Sequence, residues 1–421
     1  MNQTTAEIVS LPSNPEKSPL PETNRIDSRL NSGLPLRVLH IVTHFGCGGT
    51  ENVVLKLMSG SGENCLEHSI CSTRGFDSDF AALHKVESRL HVAGDSNPGF
   101  QFPFLKFRKI MRSYRPHIVH TRNWGSLEAV FAARSAGVPI VIHSEHGYEM
   151  ENMAGMPLRH RLFRRAAYAI IDRFLTVSNE LKDYHSRQAW FPRDRIRVIY
   201  NGVDTCRFAP NAAARASFRE QLGIDHDAVV IGSVGRLTPI KNHATLLRAV
   251  ERLIQSGLNA HGLLVGSGPE MSKLEQQVER SPYLHRRAHI VGASAAIPEM
   301  LNTMDVFVLP SLKEGMSNTL LEAMATGLAV VAGRVGGNPE VLSADCGFLF
   351  MPSDLEDLTG CLERLANDPA LRRDLGSGAR KRALASFDLS QMLQNYRDLY
   401  LDAACERGIT SEPRKQPICA A

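Results

Sequence analysis

The stretch Leu309-Pro-Ser-Leu-Lys-Glu314-Gly-Met-Ser-Asn-Thr-Leu-Leu-Glu322-Ala-Met-Ala-Thr-Gly327 decides the fold. It is entered through Asp305-Val-Phe-Val-Leu309, an apolar run short enough for a buried parallel strand. Pro310 stops that strand, having no N–H to give to a ladder. A loop then carries Glu314 and Gly315. Ser317 or Asn318 can cap a helix running through Leu320, Leu321, Ala323 and Met324 to Gly327, a natural helix stop. Glu314 therefore sits on the loop before a helix, and Glu322, eight residues on, sits inside it. The N–H groups of Gly315 to Thr319 lie where a helix N-terminus favours an anion. Two carboxylates around such a cradle suit a nucleotide held at both ends. Its diphosphate would meet the helix N-terminus, and its ribose hydroxyls would donate to Glu322.

This strand–loop–helix unit belongs to a series. Upstream, the series begins at Val229-Val-Ile-Gly-Ser-Val-Gly235 and predicts helices over 242–256, 270–280 and 297–303 between strands Gly262–Val265 and His289–Val291. Downstream come a strand Ala329–Ala332, the turn Gly336-Gly337-Asn-Pro-Glu340, a strand Gly347–Phe350 and helices from about 354. The first half repeats the architecture without repeating the sequence. Leu36-Arg-Val-Leu-His-Ile-Val-Thr43 reads as a buried strand, Gly46-Cys-Gly-Gly-Thr50-Glu51 as a turn, and the residues around Val53, Val54 and Leu57 as a helix. Strands His68–Ser72, His117–Thr121, Pro139–Glu145, Phe174–Ser178 and Arg197–Tyr200 then alternate with helices Phe104–Tyr114, Trp124–Ala136, Leu158–Ile171 and Glu180–Ala189. Alternation of this kind predicts α/β architecture with doubly wound parallel sheets, whose ligands sit beyond the carboxyl ends of the strands. Asn201-Gly-Val-Asp204, followed by Phe208, marks a junction, with a linker near 204–225. The expected organisation is a disordered tail over 1–34, a first domain over 35–205, a second over 206–385, and a C-terminal helix and tail over 386–421 that crosses back to the first domain.

Composition agrees with two soluble domains. The chain has 421 residues, 43% hydrophobic and 22% charged, too many for one simple core. Its 48 basic and 44 acidic residues leave a net charge of +4, too balanced to argue for a nucleic-acid partner. No apolar run reaches the roughly 18 residues of a membrane span, and the N-terminus has no apolar signal core, so a cytoplasmic location is expected. The eight cysteines are scattered without a Cys-x-x-Cys, which reads as reduced thiols.

The Glu-x7-Glu spacing, with Pro-Ser before it and Glu-Ala-Met-Ala-x-Gly after it, resembles the signature of retaining glycosyltransferases of the GT-B fold, in particular the family 4 nucleotide-sugar transferases. Gly235-Arg236-Leu-Thr-Pro239-Ile-Lys241-Asn242 is similar to that family's second motif. By themselves an Arg and a Lys five apart at a strand end can both point at one anion, or can simply face solvent at a helix start. The resemblance covers about residues 36–405 and implies two Rossmann-like domains facing across a cleft. It implies catalytic roles for His146, Arg236, Lys241 and Glu314. It also implies a donor site of Gly48, Gly49, Gly235, Val291, Gly292, Pro310, Gly315, Met316, Ser317, Asn318 and Glu322. In that picture Gly48–Gly49 close over the diphosphate, Val291–Gly292 line the base through their backbone, and His146 reaches the transferred sugar. Gly266-Ser-Gly268-Pro269-Glu270 is either a structural turn or a wall of the nucleotide site. Gly336, Gly337 and Glu340 read as structural.

Three further patterns bear on metals and membranes. His143 and His146 flank Glu145, but on a strand they face opposite ways and no further ligand pattern is near, so zinc is not expected. Asp77-Ser-Asp79 has the spacing of a metal–diphosphate site, yet it stands where it would cap a helix. No metal and no cofactor are therefore expected. Leu158–Ile170 combines apolar residues at helical spacing with Arg161, Arg164 and Arg165; such a helix can face an anionic membrane or pack with a basic solvent face.

The resemblance implies transfer of a sugar, with retention, from a nucleotide-sugar donor held mainly by the second domain to a glycan or lipid-linked acceptor near Gly48–Gly49, Trp124 and His146. His-Thr-Arg-Asn-Trp124 and Ser-Glu-His-Gly147 further resemble a bacterial exopolysaccharide subset associated with protein-sorting gene clusters, which implies work at the inner membrane face. The alternatives are a non-catalytic nucleotide-sugar-binding scaffold and a phosphorylase or epimerase of the same fold.

Overall fold

The structure is a computed structural model that describes residues 35–46, 48–60, 65–94, 103–148 and 156–409. The expected tail over 1–34, and residues 410–421 of the expected C-terminal helix and tail, lie outside the described residues. Among the described residues, thirteen strands form two parallel sheets. The first has seven: β1 (Leu36–Val42), β2 (Leu66–Ser72), β3 (Leu90–Val92), β4 (Ile118–Arg122), β5 (Ile140–Glu145), β6 (Arg173–Thr176) and β7 (Ile196–Val198), in the order β3-β2-β1-β4-β5-β6-β7. The second has six: β8 (Val229–Val234), β9 (Ala260–Val265), β10 (Ala288–Val291), β11 (Val306–Leu309), β12 (Ala329–Gly333) and β13 (Gly347–Phe350), in the order β10-β9-β8-β11-β12-β13. Both are doubly wound Rossmann-like sheets. Their central strands are buried on both faces because helices cover each side. The strand order reverses between β1 and β4 and between β8 and β11, where such folds open a crevice.

The deciding stretch folds as its sequence directs. β11 ends at Leu309, Ser317 caps the helix Asn318–Thr326 by accepting from the Leu320 N–H at 3.3 Å, and Gly327 closes it in the left-handed conformation at φ 82°. Leu320, Leu321, Ala323 and Met324 turn inward to the apolar core of the second sheet, beside Phe307 and Val330.

Three regions depart from expectation. The 204–225 segment is not a bare linker: it contains the helix Ala212–Gln221, and Arg215 and Arg219 each bind one oxygen of Asp305 at 2.6 Å. The expected helix 124–136 is broken into Trp124–Leu127 and Ala129–Ser135. The basic helix, Leu158–Ala169, is inverted relative to its pattern: Arg164 is buried and ion-paired with Glu145, while Leu158 and Leu162 are 61% and 55% exposed. Arg161 donates to the Gln188 carbonyl at 2.7 Å and lies over Trp190, and Arg165 donates to the Trp190 carbonyl. These three arginines bind their own domain rather than forming a basic outer face.

The chain crosses between the sheets twice, and the crossings pair: Val203 N donates to Phe387 O at 2.8 Å and Leu389 N to Val203 O at 2.9 Å. After the second crossing, the helix Leu389–Glu406 lies on the first sheet, burying Met392, Tyr396, Leu399 and Tyr400 against Leu36, Val38, Ile118 and Ile140.

Candidate active site

The carboxyl ends of the two sheets face each other. Gly235 and Arg236 leave β8, Pro310 to Gly315 leave β11, and Val291 and Gly292 leave the edge strand β10. Gly46, Gly48 and Gly49 follow β1 and His146 leaves β5. Lys241 Nζ binds Glu314 Oε1 at 2.5 Å, and Ser311 Oγ donates to the same oxygen at 2.6 Å. Arg236 is exposed at the end of β8, within electrostatic reach of Glu51. Two cations and two carboxylates thus flank the crevice.

Glycines set the loop geometry. Gly336 has φ 52°, and a Cβ there would strike the Glu314 carbonyl; one on Gly337 would strike the Gly315 carbonyl, which accepts from Gly337 N at 2.9 Å. The Gly336–Gly337 turn therefore holds the Glu314 loop from below. Gly266 and Gly268 pack in the same way onto the carbonyls of Gly235 and Leu237, so their motif supports the Arg236 loop.

The two halves of the site touch. A side chain on Gly315 would collide with the His146 carbonyl and Gly147. Asn318 Nδ2 donates to Gly49 O at 3.4 Å, and Asn201 Nδ2 donates to Met316 O at 3.2 Å. Met316 is buried in this interdomain contact. Glu340 is the strongest strut. Its carboxylate accepts from Asn179 N, Asn179 Nδ2 and Glu180 N, each at 2.9 Å, and from Tyr200 OH at 3.1 Å. A carboxylate of the second domain thereby caps the helix Asn179–Ala189 of the first.

Glu322 is inside the helix after the loop. Burial raises its pKa from 4.5 to about 7, against the opposing pull of Lys56 and Arg207. Lys56, from the helix Gly49–Gly60, donates to Gly202 O at 2.7 Å, and burial lowers its pKa although Glu322 and Asp204 pull it up. Burial likewise raises Glu51, against the pull of its own backbone N–H and of Arg236. Glu51 and Lys56 carried no role in the sequence reading. A charged Lys56 among Val53, Val54 and Leu57 was the available signal.

His146 lies just past β5. Its backbone N–H donates to Asn123 Oδ1 at 2.8 Å and its Nε2 meets Ser144 Oγ at 2.9 Å. Burial first, then Arg122, lowers its pKa to about 3, so the ring is neutral. His143 points to the opposite face, where it meets Thr121 Oγ1 at 2.8 Å and Glu145 at 3.3 Å. Trp124 packs on His160 and Phe163. Asp77 is used as a helix cap, accepting from Asp79 N and Phe80 N at 3.0 Å.

Two Rossmann-like domains facing across a crevice define the GT-B fold. Residues 47–207 match the sequence profile described as Glycosyltransferase Family 4, and residues 228–368 match that of Glycosyl transferases group 1. The chain is 31% identical over 306 residues to the Escherichia coli UDP-Gal:alpha-D-GlcNAc-diphosphoundecaprenol alpha-1,3-galactosyltransferase, covering 71% of this chain and 78% of that relative. It is also 31% identical over 316 residues to the D-inositol 3-phosphate glycosyltransferase of Saccharomonospora viridis, covering 70% and 72%. Among solved structures, Anabaena HepE in complex with UDP superposes with a TM-score of 0.75 at 19% identity, covering 87% of this chain and 100% of that one. The protein belongs to the family 4 glycosyltransferases. Among the described residues, no helix is long and apolar enough to cross a membrane.

Proposed function

We propose that this enzyme moves a sugar from a nucleotide-sugar donor to a lipid-linked glycan acceptor, with retention of anomeric configuration, in cell-surface or exopolysaccharide synthesis at the cytoplasmic face of the membrane. The observation that carries this reading is the Lys241–Glu314 pair at the second switch point, beside Arg236 and backed by Ser311. An arriving diphosphate competes with Glu314 for Lys241. Once Lys241 turns to phosphate, the Glu314 carboxylate is released towards the sugar hydroxyls. Negative charge grows on the bridging oxygen as the glycosidic bond breaks, and the fixed cations Arg236 and Lys241 stabilise it more as it grows. They supply the charge that a divalent metal supplies in other transferases. Glu322 accepts from the ribose, and the helix N-terminus at Ser317–Asn318 receives phosphate oxygens. The acceptor enters from the side of Gly48, Gly49 and His146.

The lipid-linked acceptor is supported by the name of the Escherichia coli relative, whose acceptor is a sugar on diphosphoundecaprenol. A UDP donor is supported by that relative's name and by the HepE complex. The test is a thermal-shift screen of UDP-, GDP- and ADP-sugars, followed by transfer to a polyprenyl-diphosphate sugar and proton NMR of the new linkage. The expected result is stabilisation by one nucleotide class and an anomeric configuration equal to the donor's. Binding without transfer to any acceptor would favour a scaffold, and an inverted linkage would refute the retaining mechanism.

A further inference from the structure

A series of buried, hydrogen-bonded polar groups runs under the first sheet to His146. The register pairs His40 with His120, and Arg122 with Ser144. Residues two apart on a strand share a face, so His40, His68, His120, Arg122 and Ser144 all point towards the C-terminal helix Leu389–Glu406. Arg122, 1% exposed, is the only permanently charged member of this series. Its NH1 meets His40 Nδ1 at 2.7 Å and its NH2 meets His120 Nδ1 at 3.4 Å. His40 Nε2 meets His68 Nδ1 at 2.7 Å. His120 Nδ1 meets Tyr400 OH at 2.8 Å, and His120 Nε2 meets Ser144 Oγ at 3.0 Å.

A guanidinium donates and never accepts, and this gives the series a direction. Burial and the nearby Arg122 hold His40, His120 and His146 well below their ordinary pKa, so each ring carries one proton. His120 Nδ1 faces a guanidinium N–H and so must be a lone pair. Tyr400, 2.8 Å away, therefore donates its hydroxyl proton to that lone pair. The single proton of His120 is then on Nε2 and is donated to Ser144 Oγ. Ser144, having accepted, donates to His146 Nε2. The proton of His146 is therefore on Nδ1, a buried atom with no hydrogen-bond partner among the described residues. The orphaned donor sits on the ring that leaves β5 at the crevice, where Gly315 meets the His146 backbone.

We propose that Arg122, Tyr400, His120 and Ser144 are positioning residues that hold His146 as the Nδ1–H tautomer, so that this ring meets a bound ligand as a hydrogen-bond donor and not as an acceptor. The proposal rests on the transferase reading for the identity of the ligand, but not for the tautomer. It also ties the C-terminal helix to the site: Tyr400, 280 residues from His120 in sequence, sets a proton at the acceptor side.

The experiment is nitrogen-15 NMR of histidine-labelled enzyme, with His146→Asn used to assign the ring. The expected spectrum shows His146 neutral and protonated on Nδ1 from pH 6 to 8. Ser144→Ala should shift His146 towards the Nε2–H tautomer and lower kcat/KM roughly tenfold, the worth of one neutral hydrogen bond. Ser144→Thr should restore both. Tyr400→Phe should act in the same direction with a smaller shift, because Arg122 remains. An Nε2–H tautomer in the wild type overturns the proposal, and so does an unchanged tautomer in Ser144→Ala. The wild-type spectrum decides even if the variants do not fold. Because the tautomer is read without turnover, failure to find a donor would refute the transferase reading and leave this result standing.

Discussion

Glu322→Gln separates what the fold loses by keeping a carboxyl in a poorly solvated place from what the enzyme gains by it. Burial raises the Glu322 pKa from 4.5 to about 7. The sign follows for a raised acid. Stability is complete below pH 4.5, where the group is protonated folded and unfolded. It falls as pH rises through the folded pKa and levels off above about 7. A shift of this size is worth about 3 kcal/mol, and the residue's partial exposure trims that to about 2 kcal/mol. A glutamine carries no charge to desolvate. The variant should therefore be about 2 kcal/mol more stable than the wild type at pH 8 and equal to it near pH 4, as read by urea unfolding at both pH values. The catalytic cost should fall on binding. A ribose contact is made equally in ground and transition states, so donor KM should rise about tenfold with kcat unchanged. A variant less stable than the wild type at pH 8 would refute the reasoning. It would mean that Glu322 is ionised and held by Lys56 and Arg207 strongly enough to outweigh its burial.

Lys241→Ala and Arg236→Ala should each lower kcat about 100- to 1000-fold while nucleoside diphosphate affinity, measured by calorimetry, falls much less; near-normal turnover in folded Lys241→Ala would remove the catalytic assignment. Glu340→Ala deletes the carboxylate that accepts four interdomain hydrogen bonds and should cost about 2–3 kcal/mol in thermal unfolding, with kcat and KM both worsened; an unchanged melting curve would show that the strut bears no load. Transfer should persist in EDTA, since in the proposed mechanism Arg236 and Lys241 supply the charge at the leaving group; loss of activity restored by manganese would sink this mechanism.

Much of this was legible because it is local. The Ser317 cap, the Gly327 stop and the Pro310 break each depend on one residue and its immediate neighbours, and the alternation of strands and helices needs no more than a window of a dozen residues. The short edge strand β3, Leu90–Val92, was missed because three residues show no period. Long-range pairing accounts for the other failures. Helix Leu158–Ala169 looked basic on one side because periodicity treats every arginine as solvent-facing. Only the position of Glu145 at the end of β5 shows why Arg164 turns inward. The segment 204–225 looked like a linker because Asp305, which holds Arg215 and Arg219, lies some 90 residues away. The alignment of His120, Ser144 and His146 needs the registers of β1, β4 and β5 together with a helix from the other end of the chain.

The placement of the site follows from how the two domains meet. Gly315 abuts the His146 carbonyl, Asn318 reaches Gly49, and Asn201 holds Met316. Each contact joins a residue of the Glu-x7-Glu loop to the first domain, to a catalytic-side loop or to the crossing strand. Glu314 and His146 therefore cannot move independently, because the backbone immediately after one rests on the backbone of the other. A side chain at Gly315 would separate them, and so would a shift of the Gly336–Gly337 turn that supports Glu314 from below. The glycines of the second domain thus do more than permit turns. They let Arg236, Lys241 and His146 be positioned by one set of backbone contacts, so closing the domains and bringing these side chains together become the same event.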